Sequence, residues 1–166
     1  MRIEFSDDFP ISRDTFVSEI FLYEDFANAL HAHLGFKKRE LLESRDDGDS
    51  VFRKIDFVSG EKLPWAARKL WGDYVGWTEE LTYYKNDYRT KSVQIPTSMA
   101  DRVDIQVEIR FEEIPSGTRR VTHVDVDVRV PVLGKKIASA MAENMRESFK
   151  TNVVYVNDYI KKHNLT

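Results

Sequence analysis

The sequence predicts an α+β fold: a curved antiparallel sheet of about seven strands wrapped around one long C-terminal helix, with two short helices after the first strand. Three observations lead there. Residues 36–130 repeat with a period of two and are broken by three turn-forming stretches. Residues 134–163 repeat apolar positions at steps of three and four, with no proline or glycine after Gly134. The two most regular strands split cleanly into an apolar and a polar side, so one face of the sheet has to be covered.

Taken in order, Ile3, Phe5, Asp7 and Phe9 share one side of a strand over 2–10, closed by Pro10. Ser12 is placed to cap a first helix carrying Phe16, Val17, Ile20 and Phe21. A second helix carries Phe26, Ala27, Leu30 and Leu34 and stops at Gly35. Three hairpins follow, turning at DDGD (46–49), KND (85–87) and PSG (115–117). Strand 103–114 puts Val103, Ile105, Val107, Ile109 and Phe111 opposite Asp104, Gln106, Glu108, Arg110 and Glu112. Its partner puts Val124, Val126, Val128 and Val130 opposite His123, Asp125, Asp127 and Arg129. The final helix presents Ile137, Met141, Met145, Phe149, Asn152, Val153, Val156 and Ile160 on one stripe, about 45 Å long at 1.5 Å per residue. Only the apolar face of the sheet is long enough to bury it.

Composition sets bounds. The chain has 166 residues, suited to a single domain over 1–166, with 42% hydrophobic and 32% charged residues. A net charge of -3 lacks the basic excess of a nucleic-acid binder. The absence of cysteine excludes disulfides, thiolate metal sites and cysteine nucleophiles. The N-terminal MRIEFSDDFP has no apolar segment of the secretory kind, and no run reaches the ~18 apolar residues of a membrane span. The expected setting is cytoplasmic, with peripheral membrane contact left open.

Three stretches carry a family resemblance. Residues 11–36, ISRDTFVSEIFLYEDFANALHAHLGF, are similar to the two short helices after the first strand of the START-like, or SRPBCC, superfamily with its helix-grip fold. LPWAARKLWGDYVGWTEELTY (63–83) resembles the proline-containing connection of an uncharacterised bacterial branch, and TRRVTHVDVDVRVPVLGKKIA (118–138) resembles that branch's last strand and helix entry. The superfamily includes lipid-transfer domains, plant pathogenesis-related allergens and polyketide cyclases. The resemblance implies a hydrophobic pocket between sheet and helix for a lipid or other apolar ligand. It implies no catalytic residues, because the superfamily has no common catalytic signature.

Each candidate group has two readings. His123, Asp125 and Asp127 project from one side about 6.6–7 Å apart along the strand. Metal ligands must converge within about 2–2.6 Å of an ion, so a mixed-charge wet face is the expectation, and no metal site. One register sets Glu108 opposite Asp125; the next sets Glu108 opposite His123. Met141, Met145 and Phe149 serve equally as core or as a pliable cavity wall, and Asn152 needs a partner on the sheet or a ligand. From the strands, Phe57, Leu81, Tyr83, Ile95, Ile109 and Val126 are expected to line the pocket. Trp65, Trp71 and Trp77 cluster in one connection, either packed on the sheet edge or acting as a lid and membrane contact. Arg53, Glu79, Arg89 and Lys91 share parity with apolar residues; a strand edge or bulge that turns them outward is the favoured reading. The expected function is binding, transfer or sensing of a hydrophobic or amphipathic small molecule such as a lipid, with no cofactor implied. A cyclase or hydrolase using Glu79, Arg89 and Tyr83, and a ligand-free interaction module, are the alternatives.

Overall fold

Residues 1–60, 68 and 72–165 are described by a computed structural model. Strand β1 (Arg2–Phe9) leads into helix α1 (Arg13–Phe16), a π-helical turn (Val17–Phe21) and helix α2 (Glu24–His33). Strands β2 (Lys38–Asp46), β3 (Ser50–Val58), β4 (Gly76–Tyr84), β5 (Arg89–Pro96), β6 (Val103–Ile114) and β7 (Gly117–Val128) follow, then helix α3 (Gly134–Lys162). All strands join one antiparallel sheet in the order β1-β7-β6-β5-β4-β3-β2. Strands β2 to β7 form a meander, β1 adds to it at β7, and the helix-grip architecture expected from the sequence is the one observed.

Local chemistry explains the boundaries. The Ser12 hydroxyl accepts the Thr15 amide at 3.2 Å, capping α1. At the end of α2, Gly35 takes a left-handed φ of 79°, while the Phe36 amide reaches His31 O and the Gly35 amide reaches Ala32 O. That is a Schellman ending, which glycine adopts at low steric cost. Gly134 is required for a different reason: a Cβ there would lie 2.2 Å from the Val128 carbonyl oxygen. The first turn of α3 presses on the end of β7, and only a missing side chain permits the approach.

Strands β6 and β7 adopt the register that sets Glu108 opposite His123 and Gln106 opposite Asp125. Their apolar sides meet α3 through its smallest residues. Ala138 and Ala142 are buried with Ile3, Val103, Ile105, Val124 and Val126. Ile137, Met141, Met145 and Phe149 stay half-buried. The helix lies against β7 and β1. A second cluster, built on Phe9, Phe16, Phe26, Tyr83, Phe111, Val156 and Ile160, fills the end where α1 and α2 pack.

The inner face of this second region holds a buried ion pair. Arg120 of β7 donates to Asp7 of β1 at 2.9 Å and to the Asn152 amide oxygen of α3 at 2.9 Å. Its guanidinium lies 5.1 Å from the Phe9 ring centroid and 5.4 Å from that of Phe149. Phe149 in turn stacks on Phe5 at 4.3 Å. Asn152, the odd residue in the helix stripe, therefore has its partner on the sheet.

Two stability outcomes follow. Gly134→Ala should destabilise by about 1–3 kcal/mol in urea unfolding through overpacking, against the usual helix gain from replacing glycine. Asp7→Ala, which leaves Arg120 buried and uncompensated, should cost about 3–5 kcal/mol, whereas the paired change Asp7→Leu with Arg120→Met should recover most of that loss.

Candidate functional site

The cross-strand registers lay the inner face out as rows. One row runs Ile55, Glu79, Gln94, Ile105, Val126; the next runs Arg53, Leu81, Ser92, Val107, Val124. A third runs Val51, Tyr83, Thr90, Ile109, Thr122, and toward the other end Phe57, Trp77 and Pro96 align. Trp77, Glu79, Gln94, Val107 and Ile109 retain accessible surface on this face. The half-buried Met141 and Met145 of α3 pack, like Val107, against the cluster of Ile3, Val103, Ile105, Val124 and Val126, while Phe149 stacks on Phe5 of β1.

Polar groups concentrate on the β2–β5 side. Arg39, whose side chain is 6% exposed, pairs with Glu24 and donates to Asn28 at 2.8 Å. Arg53 reaches the same Glu24 at 3.5 Å and the Leu22 carbonyl at 2.7 Å. One carboxylate on α2 thus holds two arginines of the sheet. Glu79 accepts a hydrogen bond from the Ser92 hydroxyl at 2.7 Å. Burial pushes the Glu79 carboxyl above its ordinary pKa, a shift that Ser92, the charge of Arg39 and Gln94 partly offset.

Beside them is an aromatic corner. Phe57 stacks on Trp77 at 5.1 Å, and Phe36 meets both edge-on. His31 packs against Phe36 at 5.0 Å and Phe57 at 5.1 Å, and its Nδ1–H donates to the Ala27 carbonyl at 2.7 Å. Burial lowers its pKa to about 4, which keeps the ring neutral. The Trp77 indole nitrogen is buried without an acceptor.

The expected site residues divide as follows. Trp77 and Ile109 on the inner face and Met141 and Met145 on α3 are half-buried, Phe149 is stacked on Phe5, and Phe57 and Val126 are buried. Leu81 and Tyr83 belong to the packed cluster with Phe111, and burial holds the Tyr83 hydroxyl at a pKa of about 12. Trp65 and Trp71 lie outside the described residues. Ile95 requires correction: it is 39% exposed on the outer face, with Val93 at 42%. The reason is that β5 is inverted, with Thr90, Ser92 and Gln94 facing inward. Parity correctly grouped Arg89 and Lys91 with Val93 and Ile95, but that whole side points outward. Arg53 and Glu79 do point inward, contrary to the favoured reading of all four as turned out. The bulge that the sheet does contain lies in β2, between Leu41 and Glu43.

Several participants escaped the sequence pattern: Arg120, Glu24, Arg39, His31 and the inward side of β5. A signal existed for β5. The β4–β5 turn pairs Tyr84 with Arg89, which sets Leu81 opposite Ser92; an inward Leu81 then forces Ser92 inward. On the outer face, His123 Nδ1 lies 3.4 Å from the Glu4 carboxylate, and Asp125 and Asp127 are exposed. Among the described residues no group of three histidine, aspartate or glutamate side chains is arranged to hold a metal ion. The same face has a mixed-charge depression of about 370 Å³ between Phe52, Glu80, Lys91 and His123, on the side of the sheet away from α3.

Solved structures share this fold across nearly their whole lengths. TTHA0849 from Thermus thermophilus is 17% identical with a TM-score of 0.65, covering 94% of this chain and 97% of its own. A START superfamily protein from Mycobacterium smegmatis is 13% identical with a TM-score of 0.59, covering 97% of each chain. The Zhui aromatase/cyclase from Streptomyces sp. R1128 is 16% identical with a TM-score of 0.58, covering 95% of this chain and 89% of its own. At such identities the likeness establishes the START-like fold alone. No curated protein matches the sequence. A family model described as a protein of unknown function (DUF2505) matches residues 4–160.

The neutral His31 has a pH consequence. The unfolded chain takes up a proton on this ring below about 6.5, the folded protein only below about 4. Its contribution to stability is complete above pH ~6.5 and is lost as the pH falls toward ~4, by about 3 kcal/mol in total. Urea midpoints across this window should show that slope, and His31→Gln should flatten it.

Proposed function

For a chain that belongs to the DUF2505 family of proteins of unknown function, we propose from its own geometry that it binds a hydrophobic or amphipathic small molecule between the sheet and α3. The supporting observation is the pair of half-buried apolar surfaces, one on the sheet's inner side and one on the helix. Val107, Ile109 and Trp77 on the sheet, and Met141 and Met145 on the helix, keep accessible apolar area, and α3 docks on β1 and β7. Each 100 Å² of ligand apolar surface removed from water contributes about 2.5 kcal/mol, and a few polar groups suffice to orient it. Methionine walls adapt to irregular shapes.

The connection between β3 and β4 is the proposed lid, with Trp65 and Trp71 contacting bilayer surfaces from a cytoplasmic setting. No helix among the described residues is long and apolar enough to cross a membrane. Equal flotation of the wild type and a W65A/W71A variant with phospholipid vesicles would remove that contact. The enzyme reading has less support. Of its three suspects only Glu79 borders the accessible inner face, since Tyr83 is packed in the core and Arg89 turns outward.

Native mass spectrometry of protein purified from cells should detect a copurifying apolar ligand. Val107→Phe supplies the structural control. In an open pocket it should change stability by less than about 1 kcal/mol and abolish ligand uptake; in a solid interior it should cost about 1–3 kcal/mol. The second result, with no ligand extracted, would remove the proposal.

A further inference from the structure

We propose that the turn between β7 and α3 docks on an anionic phospholipid bilayer, with Val132 and Leu133 entering the interface and Lys135 and Lys136 meeting the headgroups. This surface is separate from the connection that carries Trp65 and Trp71, and it does not depend on whether the inner face takes a ligand.

The first support is the exposure and backbone of the turn. Val132 is 100% exposed and Leu133 43% exposed, adjacent to each other between Pro131 and Gly134. Val132 also takes a left-handed φ of 66°, which a β-branched residue adopts only at a steric cost. No burial of the side chain offsets that cost. The backbone around it is hydrogen-bonded: the Gly134 amide donates to Val130 O at 2.8 Å, and the Leu133 amide to Pro131 O at 2.8 Å. The Arg129 amide reaches Arg102 O at 2.7 Å, which ties the turn to the β5–β6 connection. A bonded frame thus presents two aliphatic side chains outward.

The second support is charge. From 128 to 142 the sequence has Arg129, Lys135 and Lys136 and no carboxylate, in a chain whose net charge is -3. Arg129 has Asp127 at 4.0 Å. Lys135 and Lys136 are exposed, and neither has a carboxylate partner among the described residues. Both lie in the first turn of α3, where the helix dipole favours carboxylates over cations. That turn holds no acidic residue, and no side chain caps it. Two uncommitted cations therefore adjoin two bare aliphatic side chains.

A bilayer answers both features at once. Its anionic headgroups attract the lysines, and its hydrocarbon edge takes up the aliphatic side chains. A soluble anion would leave Val132 and Leu133 in water, and an apolar groove on a protein would strand the lysines. The sheet registers add a geometric point. Val103 pairs with Val128, Trp77 with Pro96 and Val58 with Gly76. The β7–α3 turn, the β5–β6 connection and the β3–β4 connection therefore leave the same end of the sheet, and that end meets the membrane.

The test is flotation with vesicles of phosphatidylcholine alone and of phosphatidylcholine with about 30% phosphatidylserine. The wild type should bind the anionic vesicles at least about tenfold more tightly, and high salt should shrink that difference. Val132→Gly puts the residue best suited to a left-handed turn at the tip. It should keep the urea midpoint and lose about tenfold in binding. Lys135→Gln with Lys136→Gln should lose about 20-fold, on the anionic vesicles only. Equal binding of these variants and the wild type, or equal binding to both vesicles, would overturn the inference. So would binding to neither. Sedimentation velocity tests the other occupant: a wild-type dimer that Val132→Gly turns into a monomer would make a second copy the partner and overturn the proposal. None of these outcomes bears on ligand copurification, which tests the inner face separately.

Discussion

Arg120 brings together the first strand, the last strand and the C-terminal helix through two hydrogen bonds of 2.9 Å, one to Asp7 and one to Asn152. A guanidinium with 8% side-chain exposure is expensive to bury; a carboxylate, an amide oxygen and the flanking rings of Phe9 and Phe149 offset that cost. Because the three elements are distant in sequence, the pair is satisfied only in one arrangement of the grip. Helix α3 is thereby fixed in rotation and along its axis, and its further contacts follow from where Asn152 must sit.

With that point fixed, Gly134 and the alanines at 138 and 142 bring the other half of α3 close to β7. Small side chains on the contact stripe permit a near approach on the β1–β7 side, and the longer Met141 and Met145 are left at the margin. Docking of this kind leaves Val107, Met141 and Met145 half-buried. On the opposite side, Glu24 draws Arg39 and Arg53 inward, so α2 is tied to the β2–β3 hairpin by charge while the aromatic corner of His31, Phe36, Phe57 and Trp77 packs alongside. The candidate site lies between the two anchors, on a face where Trp77, Glu79, Gln94, Val107 and Ile109 are half-buried.

The fold was largely legible in the chain. Ser12, Gly35, the three turns and the alternation of β6 and β7 each act locally, through capping, left-handed backbone or strand pleat, and neighbouring residues suffice to specify them. The site was less legible. Its apolar side chain points Ile95 inward by the usual preference for the core, yet β5 follows the parity its turn imposes, with Leu81 opposite Ser92. Arg120 drew no notice because its partners, Asp7 and Asn152, lie 113 and 32 residues away.

By itself the sequence determined periodicity, and with it the antiparallel sheet, the long amphipathic helix and the apolar side of β6 and β7. Those properties depend on backbone geometry within a few residues. Tertiary structure alone decided which face of β5 turned inward, which carboxylate met which arginine, and which strands α3 docked on. These depend on register and docking between elements far apart in the chain, where one shared contact such as Arg120 selects among arrangements that local pattern leaves equivalent.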